Sequence, residues 1–245
     1  MSYYCNNDCF DEFKKIPDKT VNMVLVDLPY GQTACYWDVK IDLSKMWDCL
    51  KRICTKTCIY VFFTTTKYGY ELIHSNPKWL KYDIVWEKSK TLGWLNAKHA
   101  PLRTHEMIYV FANNNSGRLT YNPQKTPGKP WRSPEHVLKN IDIYGHGKMP
   151  AKENKTGDRH PTSIIKFNNP KKTLHRTQKP TDLCEWLIRT YSNENDMILD
   201  FCMGSGTTIE ACIKTNRRYI GIEKDKENYD IADKRLKALI QPITE

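Results

Sequence analysis

Two short stretches, far apart in the chain, carry residue types that could do chemistry together. The first is Asp27-Leu28-Pro29-Tyr30, directly after the apolar run Val21–Val26. It puts a carboxylate, backbone carbonyls and an aromatic ring at the end of a predicted strand. A carboxylate and carbonyls are hydrogen-bond acceptors, and an exposed ring offers a surface for stacking. The alternative is a buried strand that ends in a proline turn.

The second stretch has the pattern strand, Gly204-Ser205-Gly206, helix. Glycines there let a ligand approach the backbone, and the start of the helix offers free N–H groups to an anion. Glu223 ends the next predicted strand, where an acid suits a ribose diol. A third glycine is absent, so a nucleoside with a short charged tail fits better than a dinucleotide. A lone Gly-Ser-Gly turn would indicate only a tight connection, but the following strand and acid favour a cofactor site.

The elements that must position these stretches alternate along the chain. Near-continuous apolar runs and apolar residues at helical spacing mark them, with a further short strand over Tyr3–Cys9. Strands are predicted at Val21–Asp27, Thr57–Phe63, Tyr82–Lys88, His105–Phe111, Met197–Phe201 and Arg217–Glu223, and helices at Asp42–Cys54, from Thr66, from Thr181, at Thr207–Lys214 and from Asn228. This alternation predicts an α/β domain around a mainly parallel sheet.

The charge is concentrated in one segment. The 245 residues carry a formal net charge of +10, and between Asn113 and Pro180 there are 14 Lys or Arg against 4 Asp or Glu. Periodicity also fails between Asn113 and about Lys172, where Pro, Gly, Asn and Lys dominate. A neutral scaffold with a basic, loop-rich insert suits a phosphate backbone as partner; a solvated lysine-rich loop is the alternative.

Bulk composition excludes several classes. Apolar residues make up 40% and charged residues 27%, which predicts a packed core. No run approaches the ~18 apolar residues of a membrane span, and the first residues lack the build of a secretory signal. The nine cysteines include no Cys-x-x-Cys pair, so we expect free thiols, a reducing compartment and no metal site.

Several motifs together resemble one family, the β class of DNA amino-methyltransferases that use S-adenosylmethionine. Asp27–Tyr30 resembles its catalytic motif, Asp200–Thr208 its cofactor loop, and His175–Pro180 the segment before that loop. The opening segment, the predicted strands Tyr82–Lys88 and His105–Phe111, and the last helix are also similar to those of the family. The resemblance therefore covers most of the chain outside roughly 113–155. It implies a Rossmann-like methyltransferase fold with permuted motif order and a basic target-recognition insert.

Two positions depart from the family pattern. Leu28 stands where proline is usual, but the family uses the backbone carbonyl there, which leucine also has. Phe201 and Cys202 stand where proline and then phenylalanine follow the acid. The aromatic of the family packs near the cofactor, and the sequence leaves open whether Phe201 replaces it.

The resemblance also implies roles for single residues. Asp27, Leu28, Pro29 and Tyr30 are the expected catalytic group, with Trp37 and Asp38 as candidates for the base pocket. The expected cofactor residues are Asp8, Cys9, Asp27, Thr177, Gln178, Lys179, Asp200, Phe201, Cys202, Gly204, Ser205, Gly206, Thr207 and Glu223. Asp8 could equally be a helix cap.

The predicted partner is double-stranded DNA. The clustered cations expected to contact it are Arg118, Lys125, Lys129, Arg132, Lys139, Lys148, Lys152, Lys155 and Arg159. The predicted division is a catalytic half at 1–112, the insert at 113–172 and a cofactor half at 173–245. We expect no membrane partner and a cytoplasmic location, in a bacterium or in the host cell of a phage or virus. A second copy of the chain and a cognate restriction endonuclease stay open as partners.

The predicted activity is methylation of adenine N6 in DNA, on a base flipped out of the duplex. Asp27 favours adenine, because members that methylate cytosine N4 tend to have serine there; cytosine N4 remains the near alternative. The chain has no Pro-Cys pair of the kind used for cytosine-carbon methylation. An inactive nucleic-acid binding module is the alternative from another class.

Overall fold

The computed structural model describes residues 2–31, 38–113, 117, 119–137, 148–170, 172–173 and 178–240. The chain divides into two compact units: residues 1–122 with 163–245, and Pro123–Thr162. In the described part of the chain, no helix is both long and apolar enough to cross a membrane.

Within the described residues, twelve strands and six α-helices form these units. The strands are β1 (Tyr3–Asn6), β2 (Val21–Asp27), β3 (Cys54–Thr64), β4 (Leu80–Leu92), β5 (Arg103–Ala112), β6 (Trp131–Ser133), β7 (His136–Val137), β8 (Lys148–Met149), β9 (Lys152–Asn154), β10 (Ile164–Phe167), β11 (Met197–Asp200) and β12 (Arg218–Glu223). The helices are α1 (Cys9–Phe13), α2 (Leu43–Ile53), α3 (Thr66–Ser75), α4 (Thr181–Tyr191), α5 (Thr207–Lys214) and α6 (Lys226–Ile240), with a 3₁₀ turn at Trp94–Asn96.

Eight strands of the larger unit form one sheet in the order β1-β12-β11-β2-β3-β5-β4-β10. Its described pairs are parallel except for those of β5, which runs against β3 and β4. This mainly parallel sheet with helices confirms the predicted α/β class. Parallel neighbours need a crossover, which the intervening helices supply.

Apolar side chains cover both faces of the sheet. Along β2, Val24 and Val26 point into a core with α1, α2 and α3, whereas Met23 and Leu25 point into a core with α4 and α5. This explains why β2 is a near-continuous apolar run rather than an alternating one. A smaller cluster packs Leu236 of α6 against the region of the glycine turn.

The register of the parallel strands brings their carboxyl ends to one edge. Asn6 pairs with Glu223, and Asp200 pairs with Gly221 on the neighbouring strand. Asp27 pairs with Phe63 at the end of β3. The acids that the sequence places after separate strands therefore lie along the same sheet edge.

Two details differ from the sequence-based prediction. β1 ends at Asn6 instead of Cys9, because the Asp8 side chain accepts the N–H of Phe10 at 2.9 Å and starts α1. β10 lies within the segment expected to be an insert, yet it pairs with β4 of the main sheet. Burial of Ile165 and a 2.9 Å hydrogen bond from the Trp86 indole to the Phe167 carbonyl fix it there.

The smaller unit is built from short antiparallel pairs, β6 with β9 and β7 with β8. Arg159 ties its ends together by donating to the carbonyls of Lys129 and Gly157, at 2.5 and 2.6 Å. An ion pair of 2.6 Å joins Lys125 to Asp158. Isolated short strands are weak, so these links from Arg159 and Lys125 add contacts that the short strands alone do not supply.

Candidate active site

A cavity of about 380 Å³ opens at the edge of the sheet where the strand-terminal acids meet. Both chemistry-bearing stretches line it, although they lie far apart in the sequence. Its predicted lining residues are Asp8, Cys9, Asp27, Leu28, Pro29, Tyr30, Asp38, Gln178, Lys179, Asp200, Phe201, Cys202, Gly204, Ser205, Thr207 and Glu223. Thr177 and Trp37 lie outside the described residues.

Asp27 is held from two sides. Its Oδ1 accepts a hydrogen bond from the Tyr30 hydroxyl, and its Oδ2 forms an ion pair with Lys179. Burial raises the pKa of Asp27, a shift that the charge of Lys179 opposes. The Tyr30 ring is half-buried, with its centroid 5.3 Å from that of Tyr68. The tyrosine thus lies in the cavity wall beside the acid.

Leu28 contacts both the hydrophobic core and the cavity. The residue is only 2% exposed and belongs to the core under α1 to α3, yet it is part of the cavity lining. Asp38 fixes the far side of the same loop, since its Oδ1 accepts the N–H of Gly31 at 2.8 Å. The leucine side chain therefore anchors this end of the loop in the core.

The glycine turn and Glu223 are hydrogen-bonded to each other. Gly204 donates its N–H to Glu223 Oε2 at 2.8 Å, and Asp225 donates to Oε1 at 2.8 Å. Burial raises the pKa of Glu223, and these N–H groups oppose the shift. Each oxygen keeps a lone pair that could accept a hydroxyl.

Gly206 precedes the first residue of α5, and its φ of +76° is a left-handed backbone conformation. A Cβ on this residue would lie 3.1 Å from a methyl of Leu236 and 3.2 Å from the Cβ of Ala232. Gly206 is thus required by the packing of α6, and it is absent from the cavity lining. Arg235 of α6 strengthens this contact by donating to the Ser205 carbonyl at 3.0 Å.

Asp200 and its two successors form the floor. Asp200 is 3% exposed, and burial raises its pKa to about 7 although the N–H of Cys202 and the Thr208 side chain stabilise its charged form. The Phe201 ring packs edge-on against Phe13, with centroids 5.3 Å apart. Phe201 is thus a core residue that touches the cavity, and Cys202 is only partly buried there.

Asp8 has the structural role that the sequence left open. Besides capping α1, its carboxylate lies 3.1 Å from Lys224 Nζ, and it lines the cavity next to Cys9. Capping and ligand contact are compatible, because only one of its oxygens accepts the cap hydrogen bond.

Sequence reasoning missed two charged residues behind the cavity wall. Glu106 of β5 lies 3.0 Å from Lys179 Nζ and 2.6 Å from Lys88 Nζ of β4. The signal was present, since Glu106 directly precedes the apolar run Met107–Ala112 of the same strand, and acids are rarely buried unless they are paired. Other unpredicted lining residues are Phe10, Val39, Lys40, Ile41, Asp42, Phe63, Met203, Thr208, Lys224 and Asn228.

The predicted DNA contacts lie mostly in the smaller unit. Lys129, Arg132, Lys152 and Lys155 are exposed there. Lys125 and Arg159 are engaged in links within the unit. Arg118 and Lys139 lie outside the described residues, and only the backbone of Lys148 is described.

Comparison with known proteins decides the family. Residues 21–234 match the profile of a family described as DNA methylase, of the N6/N4 type. The chain belongs to this N6/N4 DNA methylase family. The type II methyltransferase M1.MboII of Moraxella bovis is 26% identical over 239 residues, which cover 90% of each chain. M.HinfI of Haemophilus influenzae is 24% identical over 95% of this chain and 67% of its own.

Solved structures share the fold of this methylase. The M1.HpyAVI–SAM complex matches with a TM-score of 0.64 and 22% identity, over 96% of this chain and 100% of that one. The cytosine-N4-specific PvuII DNA methyltransferase matches with a TM-score of 0.67 and 13% identity, over 99% and 87%. The fold is therefore the Rossmann-like methyltransferase fold, as predicted.

The cofactor of this methylase is S-adenosylmethionine, and the cavity fits it. A volume of about 380 Å³ is in the range of small-ligand sites. The buried carboxylate of Glu223 keeps acceptor capacity for ribose hydroxyls, and the acids at the sheet edge suit a cationic donor. The cofactor supplies a methyl group on a positively charged sulfur.

Proposed function

We propose that this DNA methyltransferase acts on the N6 amino group of adenine in a base flipped out of double-stranded DNA. The observation that carries the proposal is the position of Asp27, at the end of β2 in the same cavity as the glycine turn and Glu223. The aspartate supports adenine over cytosine, since the resemblance associates serine at this position with cytosine N4.

In this proposal, Asp27 and the Leu28 carbonyl accept the two hydrogens of the amino group. An aromatic amino group is a poor nucleophile, because its lone pair is delocalised into the ring. Two acceptors pull the nitrogen toward a tetrahedral shape and stabilise the positive charge that develops on it during transfer. Pro29 stiffens the loop, and the Tyr30 ring stacks on the base.

The Tyr30 hydroxyl occupies the place of the amino group at Asp27 Oδ1. The target amino group must therefore replace this hydroxyl as the donor, and the ring must turn when the base enters. Flipping costs a few kcal/mol, and stacking on an aromatic ring recovers about 1–3 kcal/mol per base.

For the cofactor we propose the following arrangement. Glu223 accepts the ribose hydroxyls, while Asp8 and Cys9 lie at the adenine end. Gln178, Lys179, Asp200 and the turn Gly204–Thr207 surround the methionine end, with Thr177 as a further candidate. Gly206 acts through the shape of the turn, because a Cβ there would meet Leu236.

The test is transfer of label from S-adenosylmethionine to unmethylated DNA, followed by digestion to nucleosides. We expect the label in N6-methyl-2′-deoxyadenosine, and we expect its loss in Asp27→Asn, which keeps the side-chain shape but removes the charge. Label only in N4-methyl-2′-deoxycytidine would move the activity to cytosine. Cofactor binding by the wild type without transfer to any DNA would favour the inactive binding module. A second copy of the chain and a cognate endonuclease stay predictions.

A further inference from the structure

Four charged side chains of alternating sign form a chain that starts at the cavity and runs into the wall behind it. Asp27 contacts Lys179, Lys179 Nζ lies 3.0 Å from Glu106 Oε1, and Glu106 Oε2 lies 2.6 Å from Lys88 Nζ. The side chains of Lys88, Glu106 and Lys179 are each 12% exposed. Asp27 and Lys179 line the cavity, whereas Glu106 and Lys88 belong to strands β5 and β4 behind it.

The lysine next to Asp27 creates an electrostatic conflict. A positive charge develops on the amino nitrogen during transfer, and the negative charge of Asp27 favours it. Lys179 is ion-paired with the same carboxylate, and Lys88 lies behind it on the other side of Glu106. In a partly buried site such charges are weakly screened. Without Glu106, the two lysines would outweigh the single negative charge of Asp27, so a second negative charge is needed if Asp27 is to act.

Glu106 supplies that counter-charge, and Lys88 prevents Glu106 from being a buried uncompensated acid. The four charges sum to zero, so the cluster adds no net repulsion toward a developing cation. Breaking one link of a buried ionic chain leaves an uncompensated charge, which costs more than the pair contributed. The Lys88 ammonium also lies 4.8 Å from the centre of the Trp86 ring, which fixes its position.

We propose that Glu106 is a positioning residue for methyl transfer: Glu106 offsets the positive charge of the lysines behind Asp27, so that Asp27 keeps its negative field at the target amino group. This inference rests on the proposed function, because it concerns the same transfer. Glu106 touches neither the base nor the cofactor in it and acts through Lys179, while Lys88 is the counter-ion that makes the cluster neutral.

Charged and titratable groups face Asp27 from every packed element. They are Tyr30 from the loop after β2, Lys179 before α4, Cys184 of α4, Glu106 of β5, and Asp200 and Cys202 at the end of β11. Burial opposes ionisation of Glu106, but Lys179 and Lys88 bring its pKa below the usual range. Burial is the main cause that raises the pKa of Asp27, and the negative charge of Glu106 also raises it.

The experiment compares the wild type with Glu106→Gln, Lys88→Met and the double variant. Glu106→Gln leaves a net charge of +1 in the cluster, so we expect kcat to fall about tenfold, less than the 10²–10³ typical of a group at the reacting atoms. Because Lys179 also lies at the proposed methionine end of the cofactor, the Kd of S-adenosylmethionine is measured for each variant and kcat is compared at saturating cofactor. The double variant restores neutrality and regains most of the missing kcat. Lys88→Met alone leaves −1 in the cluster, which favours the developing positive charge, so we expect its kcat to be at or above that of the wild type.

The pH profile gives a second readout that a purely structural role would not move. Loss of the Glu106 charge lowers the pKa of Asp27, so the acidic limb of kcat shifts to lower pH in Glu106→Gln while the plateau falls. If Lys88→Met lowers kcat as much as Glu106→Gln, or if the double variant is worse than either, the role is structural and the proposal is wrong. If Glu106→Gln does not fold, Lys88→Met and Glu106→Asp decide the same question.

A failure of the proposed function has a different signature. It gives no transfer to DNA by the wild type, whatever the variants do. Failure of the charge-balance proposal leaves wild-type transfer intact and removes only the compensation between the two variants.

Discussion

At the scale of single residues, Tyr30 combines two tasks that a variant can separate. Its hydroxyl donates to Asp27, and its ring lies in the cavity wall near Tyr68. The hydroxyl must leave Asp27 when the target amino group arrives, whereas the ring is needed afterwards for stacking. The proposed function therefore assigns the catalytic contribution of this residue to the ring.

Tyr30→Phe should keep nearly full activity, because it retains the ring and removes only a hydrogen bond that the substrate replaces. Tyr30→Ala should lower kcat/KM for DNA by about 5- to 150-fold, which corresponds to the ~1–3 kcal/mol of base stacking. Steady-state transfer to unmethylated DNA measures both. Equal decreases in the two variants would show that the hydroxyl itself acts in transfer.

Asp200 predicts a pH dependence of stability. Burial raises its pKa from the ordinary 3.8 to about 7. Between these values the folded state binds a proton that the unfolded state has released, so the contribution of this group is full below pH 3.8 and is lost as the pH rises to about 7. The whole span corresponds to at most about 4 kcal/mol.

Asp200→Asn should therefore be more stable than the wild type at pH 8.5, and the difference should shrink toward pH 5. The amide oxygen can still accept the N–H of Cys202 but carries no charge to bury. Urea unfolding of the cofactor-free protein at both pH values measures the difference in the free energy of unfolding. A difference that is the same at both pH values would contradict the raised pKa.

At the scale of elements, α1 depends on its cap. It has five residues, from Cys9 to Phe13, too few to be stable without tertiary contacts. Phe13 is buried, and the Asp8 carboxylate accepts the N–H of Phe10. Because Asp8 also lines the cavity, its cap role and its proposed cofactor role must be tested apart.

Asp8→Ala should lower the free energy of unfolding by about 1 kcal/mol, the usual cost of losing a side-chain cap. Asp8→Asn keeps the cap acceptor and should be nearly neutral in stability. It removes the charge next to Lys224, so any weakening of cofactor binding in Asp8→Asn reports the ligand role alone. Thermal unfolding and cofactor titration separate the two effects. An Asp8→Asn variant as unstable as Asp8→Ala would show that the ion pair with Lys224, rather than the cap, stabilises this end of the helix.

The elements also show what the sequence can predict. Val21–Asp27 and Thr207–Lys214 have the same bounds in the sequence-based prediction and in the structure, because apolar runs and helical spacing are local signals. The pairing of β10 with β4 is not local, since it depends on Ile165 meeting the core from a basic, proline-rich segment. In the same way, the resemblance names Asp27 and Lys179 as separate site residues, whereas their contact and its extension to Glu106 and Lys88 depend on how distant strands are placed.

At the scale of the whole molecule, the uneven charge is the main feature. The excess of positive charge lies between Asn113 and Pro180, and the remainder is neutral. Within the smaller unit, Arg159 donates to backbone carbonyls and the exposed Lys125 is ion-paired with Asp158, whereas Lys129 and Arg132 are exposed. Exposed cations that the fold does not need are the better candidates for phosphate contacts.

Reversal of Lys129 and Arg132 to Glu should weaken DNA binding and flatten its dependence on salt, by about 0.9 in the slope of log K against log salt for each phosphate that the variant no longer neutralises. The matched control is reversal of Lys56 and Arg218. Both are exposed at the amino ends of β3 and β12, the edge opposite Asp27, and this variant changes the net charge equally.

If the two variants weaken binding equally, only net charge matters. If the Lys129/Arg132 variant binds more weakly with an unchanged slope, its defect lies in the fold of the smaller unit. A flattened slope in that variant alone would show that DNA binds along the smaller unit, because counterion release counts only the phosphates that the protein neutralises.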